Sequence, residues 1–259
     1  MSIWVQPQAF VIASTEIDDD FLEQALIALE VPDGSWTPPV HPAECLTEFA
    51  GKLCYNSFDK SLNDNLTKTG TRGTTQYIQD GIISQRHGSV LEHSTASVLL
   101  VDVSRVVTHE LVRHRAGTAF SQTSGRYVRK TAKFYEPEIL QRDDVAREKI
   151  EAYLEQGEEL RQWLAKRWDM DARPFDEKKK LTSVLRRFQG DGAVNNLLLT
   201  ANHRAWRHIV ETRTSVHAEE ETRKAMVLVA QALKDQFGAL YADMTITYNG
   251  EVLFGVSKV

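Results

Sequence analysis

The residues best equipped for chemistry lie between positions 105 and 130. Arg105, Arg113, Arg115, Arg126, Arg129 and Lys130 crowd together in a chain whose net charge is −5. A local cationic cluster on an acidic protein suits a small anion site, not a nucleic-acid coat. The stretch from Ala116 to Gly125 is made largely of Gly, Ser, Thr and Gln. Their small side chains and free amides suit phosphate oxygens, and the segment reads as a loop. If the helix that begins after Ser104 runs on to about Arg115, Arg113 and Arg115 stand about 200° apart and can serve two different anions. The plainer alternative for such a run is a solvated basic surface. A second signal lies downstream. Trp206, Ile209, Val210 and Arg213 occupy i, i+3, i+4 and i+7, the core-facing stripe of a helix. An arginine in that stripe loses solvation, so it needs either a buried carboxylate or a bound anionic ligand, and the spacing leaves both open. Arg204 and His208, four apart, form a second polar face on the same helix.

Other chemistries fit poorly. His109-Glu110 begins like the zinc-binding helix of metalloproteases, but the next histidine is His114, five residues on. That places it about 140° round the helix, out of reach of a shared metal. No metal site is expected. Gly190-Asp191-Gly192 lacks the third glycine of a dinucleotide fingerprint, and neither a phosphate-binding P-loop nor a nucleophile elbow occurs.

The elements that must position these groups are those of an ordinary globular chain. Its 259 residues are 42% hydrophobic and 26% charged, enough to bury a full core. Cys45 and Cys54 lack metal-ligand spacing and read as core thiols in a reducing compartment. The N-terminal residues show no signal-peptide pattern, and no window approaches the roughly 20 apolar residues of a membrane span. A cytoplasmic location is therefore expected. Ala9–Ser14 reads as a buried strand, and Asp18 to Asp20 as the cap and acidic first turn of a helix through Phe21 to Glu30. Pro42–Tyr55 and Thr74–Gln85 read as amphipathic helices, Ala96–Val103 as a strand, and Arg142–Arg167 as a long solvated helix with one apolar stripe. Asn195–Thr200 reads as a strand, then Arg204–Arg213 and Glu219–Phe237 as helices. Asn249-Gly250 signals a type I′ hairpin within Met244–Val256. The class is α+β, with a single domain over residues 1–259.

Four ordered blocks, spread over roughly residues 45 to 225, resemble the flavin-dependent thymidylate synthases. The signature is Arg113-His114-Arg115, eight residues, then Ser124-Gly125-Arg126-Tyr127. Upstream stand His87-Gly88-Ser89-Val90-Leu91-Glu92-His93, then Ser104-Arg105 with His109-Glu110-Leu111, and also Glu48-Phe49-Ala50-Gly51 with Cys54-Tyr55. Downstream stand Asn202 to His208, Arg213 and His217-Ala218. The resemblance implies a central antiparallel or mixed sheet with long helices, and methylation of carbon 5 of dUMP to give dTMP. It implies methylenetetrahydrofolate as carbon donor, FAD reduced by NADPH as hydride source, and a homotetramer with shared active sites. By position it assigns FAD to His87, Ser89, Arg113, His114, Arg115, Gln122, Asn202, His203, Arg204 and His208. It assigns dUMP to Glu110, Leu111, Val112, Arg113, Gln122, Thr123, Ser124, Gly125, Arg126, Arg186 and Arg213. Arg213 is the implied catalytic residue, set against the pyrimidine to favour loss of its ring-nitrogen proton. Ser124 is assigned a binding hydroxyl, since no activating base lies near it in sequence.

The chain departs from the family pattern at Phe188-Gln189-Gly190, where Val-Leu-Pro is usual, which leaves Arg186 and Arg187 as alternatives for the second nucleotide arginine. The block after His217-Ala218 runs Glu219-Glu220-Glu221-Thr222-Arg223 and reads as a charged helical segment. Two rivals keep parts of this reading. One is a flavin enzyme that installs another one-carbon group, such as hydroxymethyl, on dUMP. The other is a non-catalytic nucleotide- or flavin-binding protein.

Overall fold

The computed structural model describes residues 3–66, 72–129 and 131–259, so Lys130 of the basic cluster lies outside the described residues. In chain order, strands β1 (Trp4–Val5) and β2 (Gln8–Ser14) precede helices α1 (Asp19–Ala28), α2 (Pro42–Tyr55) and α3 (Thr74–Gln76), the last continued by a π-helix Tyr77–Ile83. Strand β3 (Thr95–Ser104), helix α4 (Arg105–Leu111), and strands β4 (Thr118–Gln122) and β5 (Phe134–Tyr135) follow. Helices α5 (Asp144–Arg167) and α6 (Phe175–Leu185), strand β6 (Val194–Asn202), helices α7 (His203–Arg213) and α8 (Glu220–Gln236), and hairpin strands β7 (Met244–Ile246) and β8 (Val252–Phe254) complete the chain. The expected α+β class holds. The central sheet has the order β2-β3-β6-β4 and is antiparallel throughout; parallel pairing occurs in the short β1–β5 pair.

Period-two alternation builds the core face. Ala96, Val98 and Leu100 of β3 stand directly opposite Ala201, Leu199 and Leu197 of β6, and all six are fully buried. Ala225, Met226, Val229, Ala230 and Leu233 of α8 belong to the same hydrophobic cluster. Trp206, Ile209 and Val210 of α7 join it with at most 1% exposure, as their helical spacing predicts.

Several expectations need correction. Ala9–Ser14 forms a strand but not a buried one: β2 is the sheet edge, and Phe10 and Ile12 are 47% and 55% exposed while Ala9 and Val11 pack on the core. Cys45 is buried, but Cys54 is exposed, so only one of the pair is a core thiol. The hairpin forms with a different turn. Gly250 has φ 78° while Asn249 does not reach positive φ, and type I′ requires both. Gly250 N donates to Thr247 O and Thr247 N to Glu251 O, both at 2.9 Å, giving a three-residue loop closed by a glycine bulge.

The largest difference concerns the basic segment. Ser104 caps α4, its Oγ accepting from Val107 N at 3.5 Å, but the helix stops at Leu111 instead of running to Arg115. No Gly or Pro stops it. The chain turns because residues 118 to 122 pair with β6 from Ala201 to Leu197, so non-local pairing overrides local propensity. Half of the expected loop is therefore strand β4, and its ladder with β6 takes up part of those backbone amides.

Candidate active site

Helix α7 carries the site. Asn202 caps it, Oδ1 accepting from Ala205 N at 2.8 Å, which fixes the helix phase one residue after β6 ends. From that phase Arg204 and His208 project to one side and Arg213 lies at the last turn. Arg213 Nη1 donates to Glu110 Oε2 at 2.9 Å, Nη2 to the Glu110 carbonyl at 3.1 Å, and Nε to His114 Nε2 at 2.8 Å. Of the two partners open for Arg213, the structure provides the carboxylate. Three of the five guanidinium N–H bonds are used there; two remain, on a side chain that is 21% exposed.

His114 accepts from Arg213, so it is the neutral Nδ1–H tautomer. Burial, the Arg213 charge and then His208 hold its pKa down at about 4. Its ring meets His208 edge to face, with centroids 5.5 Å apart. A neutral imidazole orients Arg213 without adding charge beside it.

His114 and His208, but not Arg213 or Glu110, line a cavity of about 550 Å³, a size usual for small-ligand sites. Arg113, His114, Arg115, Asn202, Arg204 and His208 all line it. Arg113 and Arg115 thus share one cavity, which overturns the reading of two arginines facing opposite ways. That reading assumed 100° of rotation per residue, and α4 has ended before either position. Gly117 belongs to the same wall with φ 67°, and a Cβ there would lie 2.4 Å from Asn202 Nδ2. Only glycine fits this approach. Glu92 is the one acidic side chain on the described lining, and Arg204 Nη1 holds it at 2.5 Å. Arg204 Nε donates to the Val259 carbonyl at 2.9 Å, so the Lys258–Val259 segment forms another wall.

Comparisons with known proteins give the family. A family model described as "Thymidylate synthase complementing protein" matches residues 40–237. A flavin-dependent thymidylate synthase of Mycobacterium leprae is 34% identical over 229 residues, covering 85% of this chain and 87% of the relative. One from Corynebacterium efficiens is 30% identical over 217 residues, covering 82% and 84%. This chain belongs to the flavin-dependent thymidylate synthase family. The fold is also shared with solved structures. Thymidylate synthase X of Helicobacter pylori, solved with FAD and dUMP, superposes with TM-score 0.58 at 18% identity, covering 92% of this chain and 98% of that one. A UMP/dUMP methylase of Streptomyces cacaoi bound to 5-Br dUMP superposes with TM-score 0.58 at 15% identity, covering 93% and 97%.

The structure divides the residues that the family pattern selects. Of the flavin set, six line the α7 cavity. His87 and Ser89 lie on the neighbouring turn that ends at Glu92, with His87 Nδ1 2.9 Å from Tyr55 Oη. His203 does not reach the cavity: it is fully buried, with Nδ1 2.9 Å from Tyr241 Oη and its ring 4.6 Å from Phe237. At the first position of α7 its side chain turns into the core, so the expected flavin contact of that side chain is withdrawn. Leu111 is also fully buried in the core, and only its backbone is left for a ligand. Val112 caps the end of α4.

Glu110 and Arg213 stand together, but Gln122, Thr123, Ser124, Gly125 and Arg126 lie at the other end of β4. Gln122 is the last of the five residues of β4, which extends roughly 13 Å from Thr118. Ser124 Oγ accepts from Arg126 N at 3.3 Å and its carbonyl from Tyr127 N at 3.1 Å, so Ser124 builds a tight turn. Arg186, not Arg187, packs there: a Cβ on Gly125 would lie 3.4 Å from Arg186 Cδ. Gly117, Glu92 and Lys258 were missed from sequence. Gly117 alone carried a usable signal, a glycine directly after the Arg-His-Arg run.

Proposed function

We propose that this chain converts dUMP to dTMP, with FAD bound in the α7 cavity and with NADPH and methylenetetrahydrofolate as co-substrates. The observation that carries the reading is the donor set of that cavity. Arg113, Arg115 and Arg204, with Asn202, His114 and His208, surround one space in a chain of net charge −5, and the lining's one acidic side chain is already paired. Such donors suit the diphosphate and polar groups of a flavin dinucleotide. When bound, reduced FAD supplies the hydride that completes the methyl group. Arg213, held by Glu110 and neutral His114, presents its remaining donors to the pyrimidine. There it favours the form lacking the ring-nitrogen proton and makes carbon 5 the stronger nucleophile. Ser124 to Arg126, with Arg186, hold the phosphate.

We further propose a single catalytic domain over residues 1–259 that works in the cytoplasm as a homotetramer with shared sites. The division of the nucleotide residues between the two ends of β4 supports sharing, since one protomer can supply Arg213 and another Ser124 to Arg126. The edge strand β2 also leaves Phe10 and Ile12 uncovered. The test uses purified protein, expected to be yellow, given dUMP tritiated at carbon 5 together with NADPH and methylenetetrahydrofolate. Tritium release with dTMP as product supports the reading. A colourless preparation that takes up no FAD, or NADPH oxidation without tritium release, sinks it. A hydroxymethylated product without dTMP turns it into the rival transfer.

A further inference from the structure

Arg204, Arg207 and Glu211 stand at i, i+3 and i+7 of α7, so they share one face of the helix. Each of them takes hold of the segment that follows β8. Arg207 Nη2 donates to the Val256 carbonyl at 3.4 Å, and Arg204 Nε to the Val259 carbonyl at 2.9 Å. Glu211 Oε2 accepts from Ser257 Oγ at 3.0 Å. Asp243 fastens the start of the segment, its carbonyl accepting from Gly255 N at 3.1 Å and its Oδ2 from Val256 N at 3.3 Å. Val259 is 8% exposed and belongs to the hydrophobic core cluster. It also abuts the turn Gly88–Glu92, where a Cβ on Gly88 would lie 2.4 Å from the Val259 carbonyl carbon.

Lys258 therefore sits between two neighbours that are both tied down, and its φ is 58°. A lysine rarely adopts this conformation, which persists only where the surroundings over-determine it. Lys258 lines the same cavity as Arg113, Arg115 and Arg204. Arg204 is offset there by Glu92, whereas Lys258 makes no ion pair among the described residues. Lys258 also lies beyond residues 40–237, the span that the family model matches, so the family pattern gives it no role.

We propose that Lys258 is a further flavin-binding residue, held at the cavity by the α7 face so that its ammonium group meets the diphosphate of FAD. This rests on FAD occupying the α7 cavity. A lysine ammonium is a compact point charge with three donors, so it can meet a phosphate oxygen without the fixed fork that an arginine brings.

The experiment dilutes FAD-loaded enzyme at low and at high salt and reads the released flavin by its fluorescence, which gives the FAD dissociation constant. Lys258→Gln is expected to weaken FAD roughly 3- to 10-fold at low salt and to flatten the salt dependence. Lys258→Arg keeps the charge and is expected to restore most of the affinity. Lys258→Gly suits the positive φ and removes only the side chain, so it is expected to lose affinity as Lys258→Gln does. Thermal melts run beside each series, and Lys258→Gly carries the test if Lys258→Gln does not fold. Wild-type FAD affinity in the folded Lys258→Gly variant, or a loss of equal size at both salt concentrations, overturns the proposal. A wild-type enzyme that holds no FAD fails earlier and overturns the flavin reading itself.

Discussion

Arg207 and Arg213 lie six positions apart on α7, and the ends of the helix that they anchor have different purposes. Arg207 is 4% exposed, and four of its five guanidinium N–H bonds are used. Both of its Nη atoms bond Asp243 at 2.8 Å, Nη1 also reaches Leu240 O at 3.0 Å, Nη2 reaches Val256 O at 3.4 Å, and the guanidinium lies 4.0 Å from the centre of the Phe254 ring. It pins the C-terminal hairpin to the core. Arg213 has one carboxylate contact, one carbonyl, one neutral imidazole, and donors to spare. A buried guanidinium held by a carboxylate on both Nη atoms is structural, and a more exposed one with donors to spare is equipped to meet a ligand.

Substitution should separate the two. Arg207→Ala leaves Asp243 buried without its partner and should cost about 3–5 kcal/mol of stability, measured by denaturant titration. A loss below about 1 kcal/mol would mean that the pair is not structural. Arg213→Ala should keep the fold, since its pair with Glu110 is partly exposed and worth about 1 kcal/mol or less. The same change should lower dTMP formation by roughly 10²- to 10³-fold or more, read from initial rates with the flavin content matched to wild type.

The pH dependence of stability sharpens the contrast further. His114 titrates near 4 in the folded chain and at 6.5 unexposed to these neighbours, so the unfolded state binds the extra proton between those values. Stability should therefore fall as pH drops through that window, and His114→Gln should reduce the slope in urea titrations at a series of pH values. His203, pushed down to about 3 by burial, contributes a slope of the same sign that remains in the variant. The smallest effect is expected at Glu221, which burial pushes up to about 7 even though its Oε1 accepts from Ser104 N at 2.6 Å. A raised folded pKa contributes stability below about 4.5 that is lost as pH rises through about 7. Glu221→Gln should thus flatten the stability profile between about 4.5 and 7, and an unchanged profile would show that the carboxylate is already satisfied.

Much of the site was legible because helix phase and capping are local. The stripe Trp206, Ile209, Val210 and Arg213 is spaced by one helix and needs nothing else, and it appears as expected. The Asp18 cap of α1, with Oδ1 accepting from Phe21 N at 3.1 Å, is equally local. His203 obeys the same phase: three positions before Trp206, it falls on the core-facing stripe and meets Tyr241 and Phe237, although the chemically suggestive run around it points to a ligand. Phe10 and Ile12 show where that legibility ends: an apolar run looks the same in an edge strand as in a central one, because its neighbours come from elsewhere in the chain.

By itself the sequence determined the residue types at the site, the phase of α7, the alternation of β3 and β6, and the family. Only the tertiary structure decided that Arg113 and Arg115 face one cavity, that residues 118 to 122 form a strand between two sites, and that Arg105 comes to rest against Gly125. The physical reason is range. Rotation per residue, capping and alternation are set by near neighbours in the chain. The pairing of β4 with β6 brings together residues about 80 positions apart, and no local pattern encodes that contact.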